Sequence, residues 1–507
     1  MSVNPSFLVI VIIIISTLFR IVLAGAIGLG VDESYVVSMA RDVSWSYFDH
    51  PPLHLWIIWL TARLTGSEAG LVLRLPFIGM FAATTWMMYR LGGKLFGDRA
   101  GYYTALFLNI SAVFSLSTGS WILPDGPLMF FMTAAVLLLV KLIFTNQSSP
   151  QLWLTAGFFI GLGMLAKYHA AFLLLGGFLF LVTSKAHRRL LVNAGPYLAA
   201  GTVALVFLPV VIWNQEHHWI SFLFQSGRAV ATGFYPLRML GNIAGQAAWV
   251  LPWIWLPLAG VLLKACLSGP GNEKSDSLQQ KQWFLCCFAM GPIVFFTAAT
   301  LWGAQGLFHW QAPGYLMAMP LLGRAAAEWL PVKRIAQVWL KICVFLFLFL
   351  ITILGSHTAT GWLRQVEPQW FQAGDPTVEA LDWQNLSVFL EEQGVLHAEG
   401  QFIVAPHWID AGKIDYVLKG RLPVLCLSNE PHHYAYLYNV KSYWGRNALI
   451  IGRKDAVKKA LPRYQAYFAD IEYVGMVPIT RGGIPEMEIA VYSAKDFSGI
   501  FPMPYGQ

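Results

Sequence analysis

Between Val31 and Leu53 the sequence reads VDESYVVSMARDVSWSYFDHPPL and gathers Asp32, Glu33, Arg41, Asp42, Asp49 and His50 ahead of the pair Pro51-Pro52. Apolar sequence flanks this stretch on both sides. Ionisable groups beside hydrocarbon cost about 2.5–3.5 kcal/mol each at a helix centre, so those that persist usually have a task. A carboxylate here can take a proton from a hydroxyl, and an imidazole can hold an anion or move a proton. The plainer reading is that Asp32-Glu33 caps a helix N-terminus, where carboxylates are favoured. Capping alone leaves Asp49-His50 without a role.

The elements that must position these groups are apolar. Of 507 residues, 56% are hydrophobic and 12% charged, with a net charge of +7. A soluble domain carries about 25% charged residues, so the composition is that of a polytopic membrane protein. The excess of Lys and Arg then belongs to cytoplasmic loops rather than to a nucleic-acid surface. Spans are expected near 7–29, 74–95, 100–118, 124–144, 152–167, 169–185, 190–212, 241–264, 283–301, 312–328 and 336–355, about eleven in all. The first, rich in apolar residues from Phe7 to Leu23, has no basic n-region and reads as an uncleaved span. The short apolar segment Leu53–Leu64 reads as a helix lying at the interface or re-entering the membrane.

Positive clusters follow alternate spans: Arg90, Lys94 and Arg99; Lys141; Lys185, Arg188 and Arg189; Lys264, Lys274 and Lys281; Lys333, Arg334 and Lys341. That side is expected to be cytoplasmic. The Asp32–Pro52 loop and everything after Gly355 then face the opposite side, the periplasm of a bacterium. Residues 1–355 are expected to form a transmembrane domain and residues 356–507 a soluble α/β domain. In the latter, strand-like runs at Gln401–Ala405, Leu422–Leu427, Ala448–Ile451 and Met487–Tyr492 alternate with helix-like Leu381–Gln393 and Lys454–Tyr467. His432-His433 lacks the further ligands a metal needs and reads as a surface pair. The five Cys form no disulfide framework or metal motif, and Cys426 stands alone in the polar tail, a labelling site if it is exposed. No P-loop, dinucleotide fingerprint or G-x-S-x-G elbow occurs.

In order along the chain come Asp32-Glu33, YFDHPPL at Tyr47–Leu53, Arg74-Leu75-Pro76, Pro124-Asp125-Gly126-Pro127, GLGMLAKYHA at Gly161–Ala170 and HWQAPGYLMAMP at His309–Pro320. This ordered set resembles the GT-C type integral-membrane glycosyltransferases that use polyprenyl-phosphate sugars, over about residues 5–330. That family comprises the protein O-mannosyltransferases and bacterial relatives such as the lipid A aminoarabinose transferase and the rhizobial galacturonosyltransferases of lipopolysaccharide. The resemblance implies a GT-C-like helical domain, with Asp32 as catalytic base and Glu33 as its neighbour. It implies that Asp49, His50, Arg74, Lys167 and His309 serve the donor phosphate or substrate, and that Tyr35 and Asp125 hold structural or site positions. In Asp49-His50-Pro51, His50 stands where the aminoarabinose transferase has Lys, which makes its charge pH-dependent. Tyr35, in Asp32-Glu33-x-Tyr35, makes the pattern closer to the rhizobial type.

The same residues have plainer readings. Asp125 reads equally as a helix cap, Arg74 and Lys167 as snorkelling anchors, and His309 beside Trp310 as part of an aromatic belt. The expected activity is inverting transfer of a sugar from a polyprenyl-phosphate donor to a periplasm-facing acceptor, lipid A or another glycolipid or polysaccharide, in a bacterial inner membrane. The alternatives are protein O-mannosylation and, in another class, a transporter or lipid flippase. A transporter is expected to place charges in broken helices near the midplane, often within internal repeats, and no repeat is visible here. No cofactor is implied with certainty, a divalent metal stays open, no residue is assigned to a metal, and nucleic acid is not an expected partner.

Overall fold

The computed structural model describes residues 4–506 apart from 146–147, 229, 231, 272–276 and 398–399. Lys274, one of the charges used to orient the chain, lies outside the described residues. Helices dominate up to Thr360: α1 (Pro5–Ala26), α2 (Val31–Ala40), α3 (Leu53–Thr65), α4 (Gly70–Phe96), α5 (Asp98–Asn109), α6 (Asp125–Phe144), α7 (Pro150–Ala166), α8 (Ala171–Thr183), α9 (Ala194–Glu216), α10 (Ile220–Gly227), α11 (Pro236–Val250), α12 (Pro252–Ser268), α13 (Ser277–Leu301), α14 (Ala312–Trp329) and α15 (Arg334–Thr360). Among the described residues, six are long and apolar enough to cross a membrane: α1, α4, α6, α9, α13 and α15. The pair α11–α12, bent by 111°, makes a seventh if it is one broken span. The remaining expected spans coincide with helices that are shorter, interrupted or, for α14, less apolar. In the run 100–118, α5 stops at Asn109 and a π-helical turn follows at Val113–Thr118. The buried Arg20 of α1 serves this break, donating from Nη2 to Ser115 Oγ at 2.9 Å and from Nε to the Ser115 carbonyl at 3.3 Å. A backbone group released in an apolar surround is thereby satisfied.

The chain divides into two compact units. The first comprises residues 1–22, 50–54 and 74–351, and the second residues 23–49, 55–73 and 352–507. The division near Gly355 expected from composition is therefore joined by two early segments that group with the tail.

The first unit is a helical bundle closed by small residues. A Cβ on Gly157 of α7 would come within 2.4 Å of the Ala199 carbonyl of α9, and one on Gly161 within 2.6 Å of Val206. Close backbone approach replaces the hydrophobic effect as the means of helix association in lipid.

The second unit holds a five-stranded sheet of order β2-β1-β3-β5-β4, with β1 (Phe402–Ala405), β2 (Val424–Cys426), β3 (Ala448–Arg453), β4 (Phe468–Arg481) and β5 (Ile484–Phe497). β2, β1 and β3 run parallel, and β5 and β4 add antiparallel. Each strand-like run of the sequence lies on a strand. β4 has no counterpart among those runs, because Pro478, Gly475 and its charges break the apolar alternation; an edge strand tolerates them. Helices α16 (Trp362–Val366), α17 (Gln384–Glu392), α18 (Trp408–Leu418), α19 (Tyr434–Leu437) and α20 (Lys454–Tyr464) complete the unit.

Candidate active site

In the second unit the candidate residues hang on α2. Its start is fixed from two sides. Glu33, 4% exposed, accepts from the Gly30 N–H at 2.8 Å and so caps the helix. Lys413 of α18 donates to the Leu29 carbonyl and, at 2.9 Å, to that of Leu381. α18 packs directly on α2: a Cβ on Gly412 would stand 2.9 Å from the Tyr35 Cα. At the far end Arg41 holds Glu68 through two nitrogens, at 2.7 and 3.0 Å, and Asp415 at 2.7 Å.

Asp32 is left on the open side of this helix. Its side chain reaches solvent, although protein atoms crowd around it. That burial, reinforced by Glu379, Asp49 and Glu33, raises its pKa to about 6, while His432 acts in the opposite sense. The helix N-terminus also favours the anion. A carboxylate tuned towards neutrality is a better general base than one at its ordinary value.

Asp49 lies close to this group but is otherwise engaged. It is 8% exposed, accepts from the Tyr35 hydroxyl on one oxygen and faces His432 Nδ1 at 2.5 Å with the other. The Tyr35 hydroxyl in turn accepts from the His433 N–H at 3.0 Å, and His433 Nδ1 accepts from the Phe48 N–H at 3.2 Å. His433 is 3% exposed, which overturns its reading as part of a surface pair. Weighed only as metal ligands, the two histidines show nothing in the sequence. The usable signal is a pair of aromatic, titratable residues beside three tyrosines, at Tyr434, Tyr436 and Tyr438. Cys426 is fully buried in β2 and is no labelling site.

In the first unit a second cluster forms. Lys167, at the end of α7, meets Asp125, at the start of α6, through both carboxylate oxygens at 2.8 and 2.9 Å. Both side chains are buried, which removes the snorkelling reading of Lys167 and leaves Asp125 as more than a cap. Arg74 is 2% exposed, so it is not a snorkelling anchor either. His309, His169 and the Lys167–Asp125 pair are near enough to influence one another, and His50 acts on His169. His309 lies in the turn before α14, where burial and Lys167 lower its pKa to about 4. It is a neutral hydrogen-bonding group at pH 7. His169, not singled out from the sequence, stacks on Phe296 at 4.5 Å. His50 lies 5.6 Å from the buried His54 ring.

Thus Asp32, Glu33, Tyr35 and Asp49 fall together in the second unit. His50, Asp125, Lys167 and His309 fall together in the first, to which Arg74 also belongs. A cavity of about 930 Å³ in the second unit, lined by Arg41, Trp59, Arg63, Tyr416 and Lys419 among others, includes none of the predicted site residues. Among the described residues no group of three or more His, Cys, Asp or Glu could hold a metal ion.

The polyprenyl-phosphate glycosyltransferase class inferred from the motifs agrees with the comparisons. Residues 49–213 match the family of dolichyl-phosphate-mannose-protein mannosyltransferases. The chain is 32% identical over 209 residues to the lipid A galacturonosyltransferase RgtD of Rhizobium johnstonii, covering 40% of this chain and 42% of that protein. It is 28% identical over 264 residues to the undecaprenyl phosphate-α-4-amino-4-deoxy-L-arabinose arabinosyl transferase 1 of Proteus mirabilis, covering 48% and 44%. The matches thus span less than half the length of either relative. The structure of ArnT from Cupriavidus metallidurans bound to undecaprenyl phosphate superposes with a TM-score of 0.62 at 13% identity, over 95% of this chain and 97% of that one. The fold is that of the GT-C enzymes, and the superposition takes in the tail as well as the helical unit.

Proposed function

We propose that this protein is an inverting glycosyltransferase that moves a sugar from a polyprenyl-phosphate donor to a hydroxyl of an anionic glycolipid of the lipid A class. The observation that carries the reading is the Asp32 carboxylate: water-reachable, held on a capped helix and shifted to about 6. Two relatives named for sugar transfer to or from such lipids support it. In this reading the eleven helical runs all pass through or into the inner membrane, and the Asp32 loop and the tail after Gly355 face the periplasm.

Asp32 takes the proton of the acceptor hydroxyl as its oxygen attacks the anomeric carbon. The bond to the donor phosphate breaks, and the lipid phosphate leaves as a stable anion. One displacement inverts the configuration. Glu33 fixes the helix that carries the base. Lys167, with Asp125 as its counter-ion, and the neutral His309 supply phosphate contacts in the first unit, where His50 and Arg74 add donors. Asp49 and Tyr35 brace the loop rather than touch the proton in flight.

The test is transfer of radiolabelled sugar from polyprenyl phosphate in membranes with matched expression. General-base catalysis contributes about 10²–10⁴-fold. Asp32→Asn is expected to lose activity by about that factor, and Glu33→Gln, which can still accept from Gly30, by less. Wild-type transfer by Asp32→Asn removes Asp32 as the base. No transfer by the wild type from any such donor overturns the enzyme reading in favour of transport.

A further inference from the structure

We propose that the cavity on the face of α2 turned away from Asp32 is an accessory site for the phosphate-bearing headgroup of an anionic membrane lipid. It stands apart from the base and does not rest on the reading of Asp32.

The site lies wholly within the second unit. Its volume of about 930 Å³ suits a small molecule or a headgroup. One wall is α2, through Val37, Ala40 and Arg41. Arg41 follows Asp32 by nine residues. That is about two and a half helical turns, so the two side chains leave α2 on opposite faces, roughly 13 Å apart along its axis. A second wall is α3. Trp59, Ala62 and Arg63 line the cavity at the spacing of one helical stripe. The adjoining stripe carries Leu60 and Leu64, which are 50% and 77% exposed. The end of α18 supplies a third wall through Tyr416 and Lys419. This end sits against Arg41: a Cβ on Gly420 would stand 3.5 Å from the Arg41 Nη1.

The charges of the lining do not cancel evenly. Arg41 is saturated, holding both oxygens of Glu68 and one of Asp415. It thereby neutralises Glu68, one of the two acids in the lining. The other, Asp382, crowds Gly28 ahead of α2. Arg63 and Lys419 remain. Both are exposed, and among the described residues neither has a carboxylate partner. Arg63 rests 6.0 Å over the Trp59 ring, and Lys419 closes α18 at a φ of +55°, a position where glycine is the cheaper residue.

Two unpaired cations at the mouth of one cavity are donors for a phosphate, and such bonds are the strong ones. Trp59 is a residue of the bilayer interface, and the Leu60–Leu64 stripe offers acyl chains an apolar surface beside the cavity. A soluble phosphate would make no use of that stripe. A zwitterionic headgroup would make no use of the surplus positive charge. An anionic lipid uses both, and it ties α3 and the end of α18 to the membrane surface.

The experiment titrates the full-length protein, in a neutral detergent, with dihexanoyl phosphatidylglycerol, dihexanoyl phosphatidylcholine and inorganic phosphate, followed by calorimetry. Phosphatidylglycerol should bind more tightly than phosphatidylcholine and weaken as salt is added. A basic residue near an anionic lipid surface contributes about 1 kcal/mol, so Arg63→Gln with Lys419→Gln should weaken binding roughly 30-fold. Both positions are exposed, and the lipid-free unfolding temperature of this variant should match the wild type. Ala62→Trp, which fills the cavity without changing its charge, should block phosphatidylglycerol as well. Equal binding of the two lipids, or wild-type affinity in the double variant, overturns the proposal. Wild-type affinity in Ala62→Trp places the lipid outside the cavity and overturns it too. Inorganic phosphate that displaces phosphatidylglycerol at equal concentration shows a bare anion site and overturns the lipid assignment.

Discussion

Above about pH 6 the Asp32 carboxylate is ionised against the preference of its surroundings. Activity and stability should then respond to it with opposite signs. Its ordinary value is 3.8, and its folded value is raised. Between the two, the folded state binds more protons than the unfolded one, so stability falls as pH rises through this window. Activity rises through the same window as the base form accumulates. Asp32→Asn is expected to abolish most transfer while raising the unfolding temperature at pH 7 and leaving it unchanged near pH 4. A variant equally destabilised at both pH values would mean that the carboxylate is structural. The Lys167–Asp125 pair behaves differently, because breaking a buried pair strands one charge. Asp125→Asn or Lys167→Met alone is expected to lower stability by about 3–5 kcal/mol, and the double substitution by less than the sum. Calorimetry of the purified protein reads this directly; additive losses would show that the two groups do not depend on one another. Asp32 and Lys167 are both legible in the sequence from charge within apolar surroundings. Their partners are not, because a carboxylate's counter-ion is chosen by the fold and not by spacing.

Helix α2 depends on α18 at a point where no side chain intervenes. Gly412 allows the Tyr35 backbone to approach to a distance that a methyl group would occupy. Gly412→Ala must push α2 outward, and overpacking of this kind costs about 1–3 kcal/mol. Transfer should fall through kcat more than through KM, since Asp32 and Tyr35 ride on the displaced helix. Unchanged kinetics would show that α2 need not sit against α18 for chemistry. At this scale periodicity reveals most of the helices and four of the five strands. It does not reveal that residues 23–49 and 55–73 group with the tail, since pairing across hundreds of residues leaves no local pattern. Nor does it show that α5 breaks before the π-helical turn, because apolar residues continue on both sides of the break, at Ile110 and Val113. The burial of His433 is hidden for a related reason: the pocket around it comes from α2 and the loop at Phe48.

For the whole molecule, the expected orientation rests on Lys and Arg in alternate loops. Cysteines introduced at Ser498 and Lys185, both exposed, provide the test in a protein whose Cys266 is replaced by Ser. A membrane-impermeant maleimide applied to intact spheroplasts should label the first position and reach the second only after lysis. The reverse pattern would place Asp32 and the tail in the cytoplasm and remove a periplasmic acceptor from the proposal. Native Cys426 cannot serve, since it is buried in β2.

The bond between Asp49 and His432 joins residues 383 positions apart. A ribosome adding about 5–20 residues per second takes roughly 20–75 s to cover that interval. Near its end the nascent chain already carries Asp32, Asp49 and every long apolar helix, but not the histidine that completes their network. A truncated or stalled product would then sit in the membrane with its base unbraced.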